Sequence, residues 1–138
     1  MVDPEAVRRR LRELDRRVSR LRAIHGAGRE AFLADEGFQA QAERHLQLAT
    51  QAAIDIANHI VAEDSPETPE DYASTFTLLA GIGVIREDLA RRLRLAAGLR
   101  NILVHAYLDV DPALVWDSVG RISDLDEFAA AVESYLGS

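Results

Sequence analysis

One short segment of the chain, residues 100–107, concentrates the side chains that could do chemistry. It reads Arg-Asn-Ile-Leu-Val-His-Ala-Tyr, so Arg100, Asn101, His105 and Tyr107 lie within about two turns if the segment is helical. Arginine binds phosphate through a planar fork of N–H donors, and histidine can accept or donate a proton near neutral pH. These two abilities are what cleaving RNA without a metal ion requires.

The spacing of the motif limits how its side chains can cooperate. On an ideal helix Asn101 and His105 share one stripe, whereas Arg100 and His105 point about 140° apart. A local distortion, a groove between helices, or a symmetric dimer with the two motifs facing across the two-fold axis would bring both to one phosphate. The structural alternative is that Arg100 is solvated and that His105 and Tyr107 cap the end of a core helix.

The elements that must position the motif are predicted to be helices, because no segment alternates apolar and polar residues with period two. Residues 5–24 repeat apolar positions every three or four residues, on an otherwise charged helix. A second long helix is predicted over residues 37–62, with this buried side: Leu46, Leu48, Ala49, Ala52, Ala53, Ile56, Ala57 and Ile60. Between them, Gly26 and Gly28 mark a break.

The second half of the chain predicts shorter helices. Thr68 is expected to cap a third helix that has Pro69 at its first position and ends near Gly81 or Gly83. A fourth, from about 84 to 107, carries the motif, and further helices are expected to begin at Asp111–Pro112 and at Ser123. The sequence therefore predicts one all-α domain over residues 1–138, an antiparallel bundle of four to five main helices.

Composition narrows the class of protein. The chain has no cysteine, which excludes disulfides and thiolate metal sites. The first residues contain no apolar run typical of a signal peptide, and the longest apolar run, residues 78–85, is far too short to span a bilayer. We therefore expect a cytoplasmic protein without a membrane partner.

Charge is unevenly distributed along the chain. The net charge of −7 argues mildly against a nucleic-acid partner. Residues 1–22, however, hold eight arginines against four acids, a local net of +4, and a second arginine group leads into the motif: Arg86, Arg91, Arg92, Arg94 and Arg100. Local basic patches can bind RNA against an acidic background, with an affinity that falls steeply with salt.

The motif resembles the signature of the HEPN superfamily, in particular the HepT-like toxins that pair with minimal nucleotidyltransferases. The residues that carry the resemblance are the Arg-x4-His-x-Tyr spacing of Arg100, His105 and Tyr107, with an amide directly after the arginine. The order of segments is also similar over most of the chain, including the stretch 43–57 of the second long helix and the exit 107–111.

The resemblance implies a function and a role for each residue. It implies a homodimeric ribonuclease toxin of a type II toxin–antitoxin pair that acts on tRNA or mRNA. His105 would be the general acid or base, Arg100 would hold the scissile phosphate, and Asn101 would orient the phosphate or the imidazole. No metal or other cofactor would be needed, and a 2′,3′-cyclic phosphate would form. Tyr107 would be the residue to which the cognate nucleotidyltransferase antitoxin attaches AMP.

One carboxylate outside the motif is a weaker candidate. Asp55 lies in an otherwise apolar stretch of the second long helix, where an unpaired charge is costly. We expect it either to support the site by pairing with Arg100 or His105, or to lie at the surface.

Two other functions compete with the ribonuclease. The fold also serves as a non-catalytic helical partner of nucleotidyltransferases that contributes to nucleotide binding. An interaction-only bundle is the third reading, for which the apolar stripes and the acidic tail suffice. The presence of both Arg100 and His105 favours the enzyme, because a structural partner has no need of that pair.

Overall fold

The computed structural model describes residues 1–105 and 110–137, and this part of the chain is a bundle of helices. Over these residues there are seven: α1 (Pro4–Gly26), α2 (Arg29–Leu33), α3 (Glu36–Asp64), α4 (Tyr72–Gly81), α5 (Glu87–His105), α6 (Pro112–Val119) and α7 (Ser123–Leu136). No residue in the two described ranges is in a β-strand. The predicted all-α helical bundle is confirmed.

The long helices α1 and α3 pack against each other and form the centre of the core. The apolar stripe of α1 is buried along its whole length: Val7, Leu11, Leu14, Val18, Leu21 and Ile24. Ala49, Ala53 and Ala57 of α3 are fully buried, and such small side chains allow a neighbouring helix to approach closely. The predicted buried side of this helix is confirmed, except that Leu48 is only half-buried.

The predicted start of the third helix is wrong. It begins at Tyr72, and its N-cap is Asp71 instead of Thr68. The Asp71 carboxylate accepts from the backbone N–H of Ser74 at 2.7 Å, and Ser74 Oγ in turn accepts from the N–H of Asp71 at 3.0 Å. This capping box satisfies two backbone donors at the start of the helix. The helix ends at Gly81, as predicted.

The helix that carries the motif also starts later than predicted, at Glu87. Gly83 has a φ of +84°, its N–H donates to the Ala80 carbonyl, and the N–H of Val84 donates to the Leu79 carbonyl. This is the Schellman arrangement, which closes α4 and turns the chain away from the helix axis. Val84 follows as a buried residue of the connection, so α5 cannot begin there.

Helix α5 is fixed to the bundle from both sides. Leu89, Ala90, Leu93, Ala97 and Leu103 are its buried residues, and α4 and α3 pack against it. Arg92 contacts three carboxylates: Asp88 on its own helix, and Asp124 and Glu127 on α7. These ion pairs fix the N-terminal half of α5 against α7.

The remaining helices begin where the sequence predicts. Asp111 caps α6, and α7 starts at Ser123. Trp116 packs against the core, stacked on the ring of His25 with 4.8 Å between centroids. This contact joins α6 to the last turn of α1. Among the described residues, no helix has the length and apolarity needed to cross a membrane.

Candidate active site at the end of helix α5

The sequence motif lies in the last two turns of α5, where buried and exposed positions alternate. Leu103 faces the core, and Arg100 beside it is half-buried. Asn101 and His105 are exposed. Packing therefore anchors this end of the helix while leaving an amide and an imidazole accessible to a ligand.

Arg100 is held by an aromatic ring from the neighbouring helix. Its guanidinium carbon lies 5.1 Å from the centroid of the Tyr72 ring at the first turn of α4. A planar cation over an aromatic face is attracted by the ring's negative face, and the contact restricts the long side chain to a few rotamers. Tyr72 itself remains 37% exposed.

The N–H donors of Arg100 are only partly used. Its Nη1 donates to Oδ1 of Asn101 at 3.2 Å, whereas its buried Nε has no hydrogen-bond partner among the residues that the structure describes. No carboxylate in the described part of the chain forms an ion pair with Arg100. A charged donor left unsatisfied is costly, so the site can take an acceptor that residues 1–105 and 110–137 do not supply.

His105 closes the last described turn of α5 and faces away from Arg100. The two residues form no hydrogen bond with each other, which agrees with the separation of about 140° expected on a regular helix. Of the three arrangements that could bring them together, a local distortion is not seen, because α5 is a continuous α-helix from Glu87 to His105. A single chain thus presents the guanidinium of Arg100 and the imidazole of His105 on different sides of α5.

The two remaining candidates from the sequence are Tyr107 and Asp55. Tyr107 lies outside the described residues. Asp55 is half-buried on α3, and its Oδ1 accepts from Nε2 of Gln51 at 2.8 Å; it has no ion pair with Arg100 or His105. In residues 1–105 and 110–137, no group of three or more histidine or acidic side chains could hold a metal ion.

An apolar stripe lies on the same side of α5 as His105. Leu95 is 67% exposed and Ile102 is 44% exposed. On a helical wheel Leu95, Gly98, Ile102 and His105 fall within an arc of about 80°. Large exposed apolar side chains in one row are typical of an interface, and this stripe ends at the histidine.

The chain is similar to known proteins. Residues 9–132 match the ribonuclease HepT-like family. The chain belongs to the ribonuclease HepT-like family. The HEPN toxin resemblance of the sequence, and the ribonuclease class that it implies, are confirmed.

Individual HepT-like proteins support the match along nearly the whole chain. A tRNA nuclease HepT from Aphanizomenon flos-aquae is 29% identical over 98% of this chain and 92% of its own. An mRNA nuclease HepT from Shewanella oneidensis is 31% identical over 88% and 91%. A solved tri-AMPylated HEPN toxin from Shewanella oneidensis, in complex with an MNT antitoxin, superposes with a TM-score of 0.86 at 28% identity, covering 96% of this chain and 99% of the toxin.

Sequence reasoning missed one residue of the site, Tyr72. The sequence indicates only that Tyr72 belongs to a helix. Its contact with Arg100 joins α4 to α5, and the two residues are far apart in the sequence. The sequence offers only an indirect signal, which is that Tyr72 is an aromatic residue near the start of the helix that comes immediately before the motif helix.

Proposed function

We propose that this protein is a metal-independent endoribonuclease toxin that cleaves tRNA or mRNA at a site made by two copies of the Arg-x4-His motif. The observation that carries the proposal is the state of Arg100. It is half-buried against Tyr72, and within the described ranges it has no carboxylate partner and its buried Nε donor is unsatisfied. A guanidinium in this state fits a phosphodiester, whose oxygens accept from its fork of donors.

The chemistry follows from the groups present. A neutral His105 takes the proton of a ribose 2′-hydroxyl, whose oxygen attacks the adjacent phosphorus. The bond from phosphorus to the 5′-oxygen breaks, and a protonated imidazole gives its proton to that leaving oxygen. Arg100 stabilises the negative charge on the phosphoryl oxygens in the transition state. The products are a 2′,3′-cyclic phosphate and a 5′-hydroxyl.

A homodimer brings two copies of the motif to one interface. In a two-fold interface the same patch meets itself, and the exposed stripe of Leu95 and Ile102 gives α5 an apolar surface suited to such a contact. Pairing two α5 helices through this stripe brings the two His105 imidazoles together, one to remove a proton and one to donate it. Each Arg100 lies on the opposite side of its own α5, so the RNA has to extend around the helix to contact it.

Control by a nucleotidyltransferase antitoxin is the second part of the proposal. The Tyr107 oxygen would attack the α-phosphorus of a nucleoside triphosphate, and pyrophosphate would leave, so that AMP is joined to the tyrosine. Tyr107 follows His105 by two residues, so the added phosphate and adenosine would repel and obstruct RNA at the site. The solved HEPN toxin that is AMPylated and bound to an MNT antitoxin supports this part.

Induced expression in a bacterial host tests the function in cells. The wild type is expected to arrest growth and degrade tRNA or mRNA. Co-expression of the cognate nucleotidyltransferase is expected to restore growth and to add one or more AMP groups to Tyr107, detected by mass spectrometry. His105→Ala should abolish the arrest. Arg9→Ala, a change at an exposed arginine of α1, should leave it intact.

Two results would contradict the proposal. Absence of toxicity and of RNA degradation in the wild type, together with nucleotide-dependent association with the transferase, would favour the non-catalytic partner module. Toxicity that survives in both His105→Ala and Arg100→Ala would move the activity away from this motif.

A further inference from the structure

A second basic surface lies between α1 and the first half of α3. It is a groove lined by three arginines of α1, Arg16, Arg17 and Arg20, and by Phe38, Gln41 and His45 of α3. No carboxylate contributes to the lining. The groove lies on the side of α3 that faces α1, whereas Leu46 and Thr50 line a cleft shared with α5, so it is separate from the motif.

The contact with Arg17 determines which ring nitrogen of His45 carries the proton. Arg17 donates from Nε to the Glu13 carboxylate at 2.8 Å, and its Nη1 lies 3.2 Å from Nδ1 of His45. Arginine is always protonated and has no acceptor, so Nδ1 must accept. The neutral imidazole then keeps its proton on Nε2, which has no partner among the described residues and is a free donor.

The groove has more positive charge than its neighbours neutralise. Glu13 is the one carboxylate that pairs with Arg16 and Arg17, and Arg20 has no acidic partner in the described part of the chain. Burial lowers the pKa of His45, and the nearby charges of Arg17 and Arg20 lower it further. Three guanidiniums beside one carboxylate leave a concave surface with a net positive charge.

The geometry points to this groove as a binding site for the phosphate backbone of RNA, away from the bond that is cut. The inference rests on the proposed function, which supplies the RNA. Arg16 and Arg20 lie one turn apart, about 6 Å along the helix axis, and their forks match phosphate oxygens. A folded RNA is favoured over an acidic protein segment because it presents phosphates continuously, so one molecule can reach both this groove and the α5 motif.

The test is RNA binding by a protein that cannot cut, so all variants are made in His105→Ala. The groove variant is Arg16→Gln/Arg20→Gln. The matched control is Arg9→Gln/Arg10→Gln, which removes the same charge from exposed positions of the same helix. Affinity for a total tRNA pool is measured by fluorescence anisotropy between about 50 and 200 mM salt, and polyglutamate is the competing acidic probe.

The groove variant is expected to bind tRNA roughly tenfold more weakly at low salt, with a log–log salt slope smaller by about one for each arginine removed. The control is expected to match its parent. Equal binding by both variants, or weaker binding with an unchanged salt slope, would overturn the inference. Loss of polyglutamate binding with unchanged tRNA binding would assign the groove to an acidic protein instead.

A second readout separates this inference from the proposed function. With His105 intact, the groove variant should cut a dinucleotide at the wild-type rate but cut tRNA with a raised KM. If the wild type cuts neither substrate, the proposed function fails, while the binding comparison still decides the groove. Cutting of both substrates at wild-type KM by the groove variant would contradict a role in binding.

Discussion

The guanidinium of Arg100 lies over the ring of Tyr72, with 5.1 Å from its carbon to the ring centroid. The contact joins the first turn of α4 to the last turns of α5 and is made by a residue with no acidic partner in the described chain. Tyr72 thus does for Arg100 what a carboxylate commonly does for a buried arginine: it orients the cation. Unlike a carboxylate, it leaves the positive charge free for phosphate.

The first prediction concerns this ring. Tyr72→Leu should lower kcat for RNA cleavage roughly fivefold, because a contact of about 1 kcal/mol that orients Arg100 is lost. Tyr72→Phe keeps the aromatic face and should retain activity near that of the wild type. Steady-state kinetics and thermal unfolding of all three proteins check this. Equal kcat values for the leucine and phenylalanine variants would show that the ring does not position Arg100.

The second prediction concerns the neighbour that accepts a hydrogen bond from Arg100. Asn101→Asp should place a carboxylate where the amide oxygen now lies, 3.2 Å from Nη1, and neutralise the cation. We expect kcat/KM to fall roughly tenfold or more, since a charge-assisted contact to phosphate is weakened. Asn101→Ala adds no charge and should lose less. A smaller loss in the aspartate variant than in the alanine variant would contradict this role for Arg100.

The third prediction concerns the apolar stripe of α5. Leu95→Glu/Ile102→Glu should give a folded monomer without nuclease activity, because like charges would meet across the two-fold interface. Leu114→Glu is the control, since Leu114 is 38% exposed on α6, outside the stripe. Sedimentation equilibrium and an RNA cleavage assay provide the measurements. An active monomer would show that one chain carries a complete site.

The fourth prediction is a pH dependence at His45. Burial first, and then Arg17 and Arg20, hold its pKa below the ordinary value of 6.5. The folded state therefore binds fewer protons than the unfolded state as pH falls below about 6.5, and stability is lost from there down to the folded pKa. His45→Gln should remove this loss, measured by urea unfolding across that window.

An NMR titration checks the cause of the same shift. Arg20→Gln should raise the pKa of His45 toward its ordinary value, because one of the positive charges that lower it is removed. A His45 resonance that titrates at the ordinary value in the wild type would contradict both the buried setting of the ring and the positive field of the groove.

Local patterns predict the helices of this protein well, and their ends less well. The stripe from Val7 to Ile24 is visible in the sequence because burial of one helix face requires apolar residues at that period. The predicted start of α4 is wrong because Thr68-Pro69 and Asp71 both have residue types that favour a helix start. The reciprocal hydrogen bonds between Asp71 and Ser74 place the start after Asp71. Helix α5 starts later than predicted because the turn at Gly83 separates it from α4.

The candidate site divides in the same way. Arg100, Asn101 and His105 are close in sequence, so residue type and spacing identify them. Tyr72 contacts Arg100 only because α4 and α5 pack together, and the periodicity of either helix carries no record of that pairing. The groove also combines residues of two helices, Arg17 and His45, which the sequence alone gives no reason to connect.

The most direct measurement is cleavage of total tRNA and of a defined mRNA by the purified protein in EDTA, with the ends of the products identified. We expect the wild type to cleave RNA and to leave 2′,3′-cyclic phosphate and 5′-hydroxyl ends. Arg100→Ala and His105→Ala should not cleave it, and Arg9→Ala should cleave it normally. Absence of cutting by an unmodified, dimeric wild-type protein, or activity that persists in both motif variants, would contradict the proposed function.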